Sequence, residues 1–244
     1  MTWKKPAGQI VRPTSNMITG LSCIVPCRNA RAYLAQAIAS AVAEGADEVI
    51  IVDDGSTDDS AAVAAAAVGP VRVLRQAGQG AAAARNAGLA VARHDLIAFL
   101  DADDLWQTGS LALLRSVLAA DPKLDAVYGH TRHFYSPELD VMTRRRLACP
   151  PGSSGAPTFG SILLRRSVFE RIGGFNVNLK VGEMFEFMAL FADAGLSITC
   201  VPDTVRLRRI HASNMMHPDG GAVNDYPRAL KAVLDRRRRT NSCQ

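Results

Sequence analysis

The chain has 244 residues, 48% of them hydrophobic and 21% charged, which is typical of a folded domain and excludes a disordered chain. Its net charge of +5 is concentrated in arginine runs that are not interleaved with aromatic residues, so we expect no nucleic-acid partner. With five scattered cysteines, no apolar run of roughly 20 residues and no apolar leader, the sequence predicts a reduced, cytoplasmic protein.

Strands and helices are predicted to alternate along the first half of the chain. Apolar runs predict buried strands at 21–26, 49–52, 71–74 and 96–100. Helical spacing predicts helices at 33–42, 61–67, 80–91 and 111–120. Because the connections are short, we expect an α/β fold with a mostly parallel sheet flanked by helices.

The second half is less regular. Residues 136–157 are rich in Pro, Gly, Ser and Arg, and we expect this stretch to form a loop that faces a substrate. The other predicted elements are strands at 126–128, 158–164, 197–201 and 205–210, a turn at 172–176 and a helix at 183–194.

Polar side chains follow three of the predicted strands. Arg28 and Asn29 follow the first strand, Asp53 and Asp54 the second, and residues 101–104 (Asp-Ala-Asp-Asp) the fourth. Ligands of parallel sheets bind at such carboxyl ends. Two carboxylates on one side of an extended chain, at Asp101 and Asp103, suit Mg²⁺ or Mn²⁺ that arrives with a phosphate. The alternative is a polar turn that caps the next helix.

Five segments together resemble the nucleotide-sugar-dependent glycosyltransferases of family 2, which have the GT-A fold. They are SCIVPCRN (22–29), IVDDGSTD (51–58), GAAAARNAG (80–88), FLDADD (99–104) and IGGF (172–175). The resemblance implies a single Rossmann-like nucleotide-binding domain with a smaller acceptor-side subregion. It divides the chain into a flexible tail (1–20), a nucleotide-sugar-binding half (21–129), an acceptor-binding and catalytic half (130–218) and a basic tail (219–244).

The resemblance also assigns the donor-side residues. It implies nucleotide contacts from Pro26, Arg28, Asn29, Asp53, Asp54, Gly55, Arg85, Asp101 and Ala102. The carboxylate of Asp54 suits the imide N–H of uracil or thymine, whereas Asp53 contacts ribose or only shapes the turn. Arg85 suits the diphosphate, its alternative being an exposed helix salt bridge.

A divalent metal, Mn²⁺ or Mg²⁺, is the cofactor that the resemblance implies. It places Asp103 on the metal, Asp101 near ribose or in the metal's water shell, and Asp104 at the sugar or as a second ligand. His211 completes the metal shell, contacts phosphate, or has a structural role. Met215, Met216 and His217 are expected either to line an acceptor pocket or to pack internally.

The general base is the point at which this sequence departs from the family. The usual base is the Asp of a Glu-Asp pair after the Gly-Gly-Phe turn, and Met184 occupies that position. A thioether cannot accept a proton. Glu183 is the first candidate, although the helix N-terminus would lower its pKa, and Glu186, one turn further on, is the second. Each is alternatively a capping or surface carboxylate.

The resemblance implies sugar transfer with inversion from a UDP or dTDP sugar. The acceptor is a glycan, a lipid-linked sugar, a small molecule or a peptide. The sequence is compatible with a homodimer. It is also compatible with peripheral contact with the inner membrane face through residues 236–239. Two alternatives are a catalytically impaired nucleotide-sugar-binding protein, because of Met184, and an NAD-dependent oxidoreductase, because residues 78–83 have the spacing of a dinucleotide fingerprint.

Overall fold

The computed structural model describes residues 20–179 and 182–214. These residues form a nine-stranded sheet flanked by helices. The strands are β1 (Leu21–Cys27), β2 (Glu48–Asp54), β3 (Val71–Gln76), β4 (Leu96–Phe99), β5 (Leu105–Trp106), β6 (Ala126–Tyr135), β7 (Ser153–Ser154), β8 (Ile162–Arg165) and β9 (Ile198–Ile210). The helices are α1 (Leu34–Ala43), α2 (Ser60–Ala65), α3 (Ala81–Val91), α4 (Ser110–Ala120), α5 (Val141–Arg146), α6 (Ser167–Ile172) and α7 (Glu183–Asp193).

The sheet order is β3-β2-β1-β4-β8-β6-β9-β5, with β7 paired to β6. Strands β3, β2, β1 and β4 are parallel, which confirms the predicted α/β class with parallel pairing in the first half. Strand β8 is antiparallel to both β4 and β6. The carboxyl ends of β1, β2 and β4 therefore meet at one edge of the sheet, where the predicted polar residues lie.

Two apolar clusters cover the two faces of the sheet. One packs α1 and α4 against residues such as Val25 and Ile51, and the other packs α3, α6 and α7 against residues such as Ile24 and Phe99. Strands buried on both faces are continuous apolar runs, which is why β1, β2 and β4 were predictable from the sequence.

Four predicted elements differ in the structure. The 197–201 and 205–210 strands are one strand, β9, whose pairing with β6 shifts register around Gly129. Such a bulge tolerates Pro202, which lies between the two predicted strands. The predicted strand at 158–164 begins as a 3₁₀ turn at Phe159–Ser161. The predicted loop at 136–157 contains α5, because the Asp140 carboxylate accepts the Thr143 N–H and caps that helix.

Gly88 sets how closely α3 approaches the sheet. A Cβ at this position would lie 2.5 Å from Cγ2 of Ile24 and 3.3 Å from Cγ2 of Val52. We expect Gly88→Ala to destabilise the protein by about 1–3 kcal/mol through overpacking, measured as a lower denaturant midpoint. The control is Ala90→Gly on the exposed side of the same helix, which should cost about 1 kcal/mol because alanine is the better helix former. A Gly88→Ala variant as stable as the parent would contradict the close packing.

Candidate active site

The acidic turn, residues 101–104, leaves the end of β4 and is closed by the bond from Asp104 N–H to the Asp101 carbonyl, 3.1 Å long. Asp104 points inward and is 1% exposed. Its Oδ1 accepts the Arg209 backbone N–H (2.8 Å) and its Oδ2 accepts Nε–H of Arg206 (2.7 Å). Burial raises the pKa of Asp104 to about 7. The Arg206 guanidinium opposes this rise, whereas the negative charges of Asp101 and Asp103 add to it. Its carboxylate anchors the turn to β9, and the expected position of Asp104 at the sugar or metal stays a prediction.

Asp101 lies between two guanidinium groups. Its Oδ2 is 2.6 Å from Nη2 of Arg206, and its Oδ1 is 3.3 Å from Nη2 of Arg85. Burial works to raise the pKa of Asp101, but Arg206 and Arg85 outweigh it and hold that pKa below its usual value. The Asp101 carboxylate is thus ionised and already shared by two cations of the protein.

Asp103 and His211 come together from positions 108 residues apart. The Asp103 Oδ2 atom is 3.0 Å from Nε2 of His211, and the Asp103 side chain is 31% exposed. The His211 ring packs against the Tyr33 ring at 4.6 Å, and its Nδ1 is 3.0 Å from the Ser213 hydroxyl. A carboxylate oxygen and an imidazole nitrogen fixed side by side are a donor pair that fits Mn²⁺. Within residues 20–179 and 182–214, no third His, Cys, Asp or Glu completes a metal-binding group.

The loops after β1 and β2 are joined by side-chain bonds. Asn29 has a left-handed backbone (φ +51°), and its Oδ1 accepts the Thr57 N–H at 2.8 Å. Asp53 accepts the Ser56 N–H at 3.0 Å. Asn29 and the Arg28 side chain beside it are exposed at this edge, Pro26 lies within β1, and Ala102 is buried. The Asp53 carboxylate thus helps to shape the turn after β2, and its expected contact with ribose stays a prediction.

Asp54 has partners other than the expected base. It is 3% exposed and accepts bonds from Gln76 Nε2 (2.6 Å), the Gln79 N–H (2.6 Å) and the Gly80 N–H (2.8 Å). Its carboxylate therefore positions the loop between β3 and α3, and its expected contact with the base imide stays a prediction. The same bonds occupy the backbone amides that a dinucleotide fingerprint would present to a pyrophosphate. Gly55 has φ +71°, and a Cβ there would lie 3.0 Å from Gly78 N.

Arg85 connects the acidic turn to the start of α7. The residue is 7% exposed, so the alternative of an exposed helix salt bridge is wrong. Its guanidinium contacts Glu183 as well as Asp101, and its Cζ lies 4.7 Å from the centre of the Phe159 ring. Among the described residues, its buried Nε–H has no hydrogen-bond acceptor.

Glu183 and Glu186 begin α7 and line one small pocket. Gly174, Asn176 and Leu190 are further lining residues, and Asn176 donates to Glu186 at 3.2 Å. Burial raises the pKa of Glu183, partly opposed by Arg85. The expectation that the helix N-terminus would lower this pKa is corrected, because desolvation outweighs it. Met184 packs against the apolar cluster behind the pocket.

Two arginines of β9 were not predicted as site residues. Arg206 and Arg209 are 6% and 2% exposed, and they lie in the predicted 205–210 strand, within one of the arginine runs. Arg209 donates from Nε to the Asp103 carbonyl (2.9 Å) and lies over the rings of Tyr33 and Phe134. The sequence did contain a signal, because both arginines lie in a predicted strand just before His211. A guanidinium buried in a strand needs an anionic partner, since burying it unpaired is costly.

The order and pairing of these strands and helices define a GT-A type fold. Residues 22–191 match the model of Glycosyl transferase family 2, and the chain belongs to that family. The structure superposes on Staphylococcus aureus TarS (residues 1–349) in complex with UDP-GlcNAc with a TM-score of 0.69, at 17% identity, over 88% of this chain and 65% of TarS. The same protein with UDP gives 0.65 at 18% identity, over 88% and 64%.

Two curated relatives are similar in sequence. The succinoglycan biosynthesis protein ExoU of Rhizobium meliloti is 47% identical over 192 residues, which are 70% of this chain and 56% of ExoU. An uncharacterized glycosyltransferase of Haemophilus influenzae is 28% identical over 181 residues, which are 69% of this chain and 60% of that protein. The chain thus spans less than two thirds of these relatives. Membership of a glycosyl transferase family rules out the alternative of an NAD-dependent oxidoreductase.

Several expectations concern residues that the structure does not describe. The tails at 1–19 and 219–244, the basic run at 236–239, and Met215, Met216 and His217 all lie outside the described residues.

Cys23, Cys27, Cys149 and Cys200 are free thiols. In the part of the chain that the structure covers, every helix is too short or too polar to span a bilayer.

Proposed function

We propose that this protein transfers a sugar, with inversion, from a nucleoside diphosphate sugar of the UDP or dTDP type to an acceptor hydroxyl. The observation that carries the proposal is the pairing of Asp103 with His211 at the carboxyl end of β4, at the same edge of the sheet as the joined loops of β1 and β2. The complexes of TarS with UDP-GlcNAc and UDP support a nucleotide-sugar donor in a domain of the same fold.

Asp103 and His211 are the residues that would hold a divalent cation. When bound, the cation would act as a Lewis acid for the charge that develops on the leaving diphosphate. Asp101 and Asp104 are left out of this assignment because guanidinium groups hold their carboxylates. The remaining cation ligands would be phosphate oxygens and water, the oxygen ligands that Mg²⁺ usually keeps and that Mn²⁺ also accepts.

Arg85 is the cation of the protein that we assign to the diphosphate. Its Nε–H is a donor without an acceptor in the described residues, and its guanidinium already faces the acidic turn. A forked guanidinium matches phosphate oxygens closely. We assign the base and ribose to Arg28, Asn29 and the turn after β2, which lie at the same edge of the sheet as the acidic turn.

Glu183 is the group that we assign to the acceptor. The pocket between the Gly-Gly-Phe turn and α7 places Glu183 and Glu186 together, on the far side of Arg85 from the acidic turn. A buried carboxylate with a raised pKa is suited to take the proton of an attacking hydroxyl. The acceptor classes considered, a glycan, a lipid-linked sugar, a small molecule and a peptide, all supply such a hydroxyl.

Nucleotide binding tests this proposal. We expect UDP or dTDP to raise the melting temperature in the presence of Mn²⁺, and to raise it far less after EDTA treatment, because a ligand that binds the folded state more tightly stabilises it more. NAD with and without Mn²⁺ is the control and should give no shift. Equal shifts by UDP with and without metal would remove Asp103 and His211 from their assigned role, and a shift by NAD alone would overturn the proposal.

A second candidate function, nucleotide-sugar binding without turnover, is favoured by Met184. Its thioether stands where the family usually places the base, and it packs into the apolar cluster. A screen of UDP and dTDP sugars for metal-dependent donor hydrolysis separates the two functions. Turnover of any donor rules out the second candidate, whereas metal-dependent UDP binding without turnover of any donor supports it.

A further inference from the structure

Arg206 lies within a row of alternating charges in the interior of the site. From the acceptor side to the metal side, the row runs Glu183, Arg85, Asp101, Arg206 and Asp104, and each neighbouring pair is an ion pair. The side chains come from α3, α7, β9 and the acidic turn. The proposed transfer gives Arg206 no contact with donor or acceptor.

One guanidinium holds two of the three carboxylates of the acidic turn. Arg206 Nη2 is 2.6 Å from Asp101 Oδ2, and Arg206 Nε is 2.7 Å from Asp104 Oδ2. The side chains of Arg206 and Asp104 are 7% and 2% exposed, so solvent screens their pairing little. Asp103 is left as the carboxylate of the turn that faces His211.

The surroundings of Arg206 are shaped for this position. A Cβ on Gly160 would lie 2.7 Å from Arg206 Nε and 2.8 Å from its Cδ. The Gly160 carbonyl is in turn held by the indole N–H of Trp106 at 2.9 Å. A side chain at residue 160 would therefore clash with Arg206 in its present position.

We propose that Arg206 is a positioning residue that withholds Asp101 and Asp104 from the cation site and so keeps its affinity for a free divalent cation low. The inference rests on the proposed function. A carboxylate that is paired with a guanidinium binds a cation less well, because its lone pairs accept hydrogen bonds and its charge is partly neutralised. With Asp101 and Asp104 committed, the protein offers one carboxylate and one imidazole, and a cation held by so few protein ligands needs phosphate oxygens. Cation and nucleotide therefore bind together.

The test removes the Arg206 charge without leaving Asp104 as an unpaired buried charge. The paired variant Arg206→Gln with Asp104→Asn keeps two side chains that can hydrogen-bond and frees Asp101 from its shorter ion pair. We expect Mn²⁺ to bind the nucleotide-free paired variant at least tenfold more tightly than the parent, measured by the electron paramagnetic resonance signal of free Mn²⁺. UDP should then tighten Mn²⁺ binding by a smaller factor than in the parent.

Three controls assign the gain to Asp101. Asp104→Asn alone keeps Arg206 on Asp101 and should not tighten Mn²⁺ binding. Arg208→Gln removes a charge from the same strand, from a residue that makes no ion pair within the described residues, and should change the dissociation constant less than threefold. Adding Asp101→Asn to the paired variant should abolish the gain.

Gly160→Ala provides a second route with every charge kept, because the new methyl group displaces the Arg206 guanidinium. We expect several-fold tighter Mn²⁺ binding, and this variant decides alone if the paired variant does not fold. Parental Mn²⁺ affinity in folded variants overturns the inference. Failure of the parent to bind UDP with Mn²⁺ is a different result, which overturns the proposed function, because the Mn²⁺ affinities that decide this inference are measured on the nucleotide-free proteins.

Discussion

Asp103→Asn is expected to abolish metal-dependent nucleotide binding and to reduce sugar transfer by at least about 10²-fold, the scale of losing one preorganised group that stabilises transition-state charge. The amide keeps the shape of the side chain but loses the charge that would attract a cation. Within the described residues, Asp103 is the carboxylate of the acidic turn that does not contact a guanidinium. Asp101 and Asp104 are held by Arg206 and therefore cannot replace Asp103 as a cation ligand.

The measurement is the shift in melting temperature caused by UDP with Mn²⁺, together with the rate of donor hydrolysis. Without ligands, Asp103→Asn should stay within about 0.5 kcal/mol of the parent, because the side chain is partly exposed and anchors no backbone. Asp203→Asn, at an exposed position of β9, is the matched control and should behave as the parent in every assay. A full UDP and Mn²⁺ shift in Asp103→Asn would exclude Asp103 as the metal ligand.

The sequence predicted the site's location better than its contacts. The strands before Arg28, Asp53 and Asp101 are continuous apolar runs, and parallel pairing brings their ends together, so the location follows from pattern alone. Which carboxylate faces solvent depends on partners far away in the chain: Arg206 lies 105 residues after Asp101. No local pattern encodes such a pairing.

Asp54 and α5 show the same limit on a smaller scale. The bonds from Asp54 to the backbone of Gln79 and Gly80 need the loop of a different βα unit to be in place. Helix α5, in contrast, has a local signal, because Asp140 precedes Thr143 by three residues and caps the helix. A search for capping residues within the Pro- and Gly-rich stretch would have found α5.

Glu183→Gln is expected to lower sugar transfer by about 10²–10⁴-fold while leaving UDP and Mn²⁺ binding unchanged, because removing a general base affects the proton transfer and not the donor. Glutamine keeps an oxygen that can accept a bond from Arg85 but cannot take the acceptor proton. The measurement is steady-state transfer with the donor found in the hydrolysis screen. Glu186→Gln, one turn further along α7 in the same pocket, is the matched control and should lose less than tenfold.

The pH dependence separates a base from a carboxylate that only positions Arg85. Glu183 must be ionised to act as the base, and burial raises its pKa, so transfer should fall as pH decreases through that raised value. The acidic limb of the profile should therefore lie at higher pH than an ordinary glutamate would give, and it should vanish in Glu183→Gln. A variant that retains this limb at reduced rate would show that another group titrates. If Glu186→Gln alone removed the limb, the base would be Glu186, and Glu183 would serve to hold Arg85 towards the diphosphate.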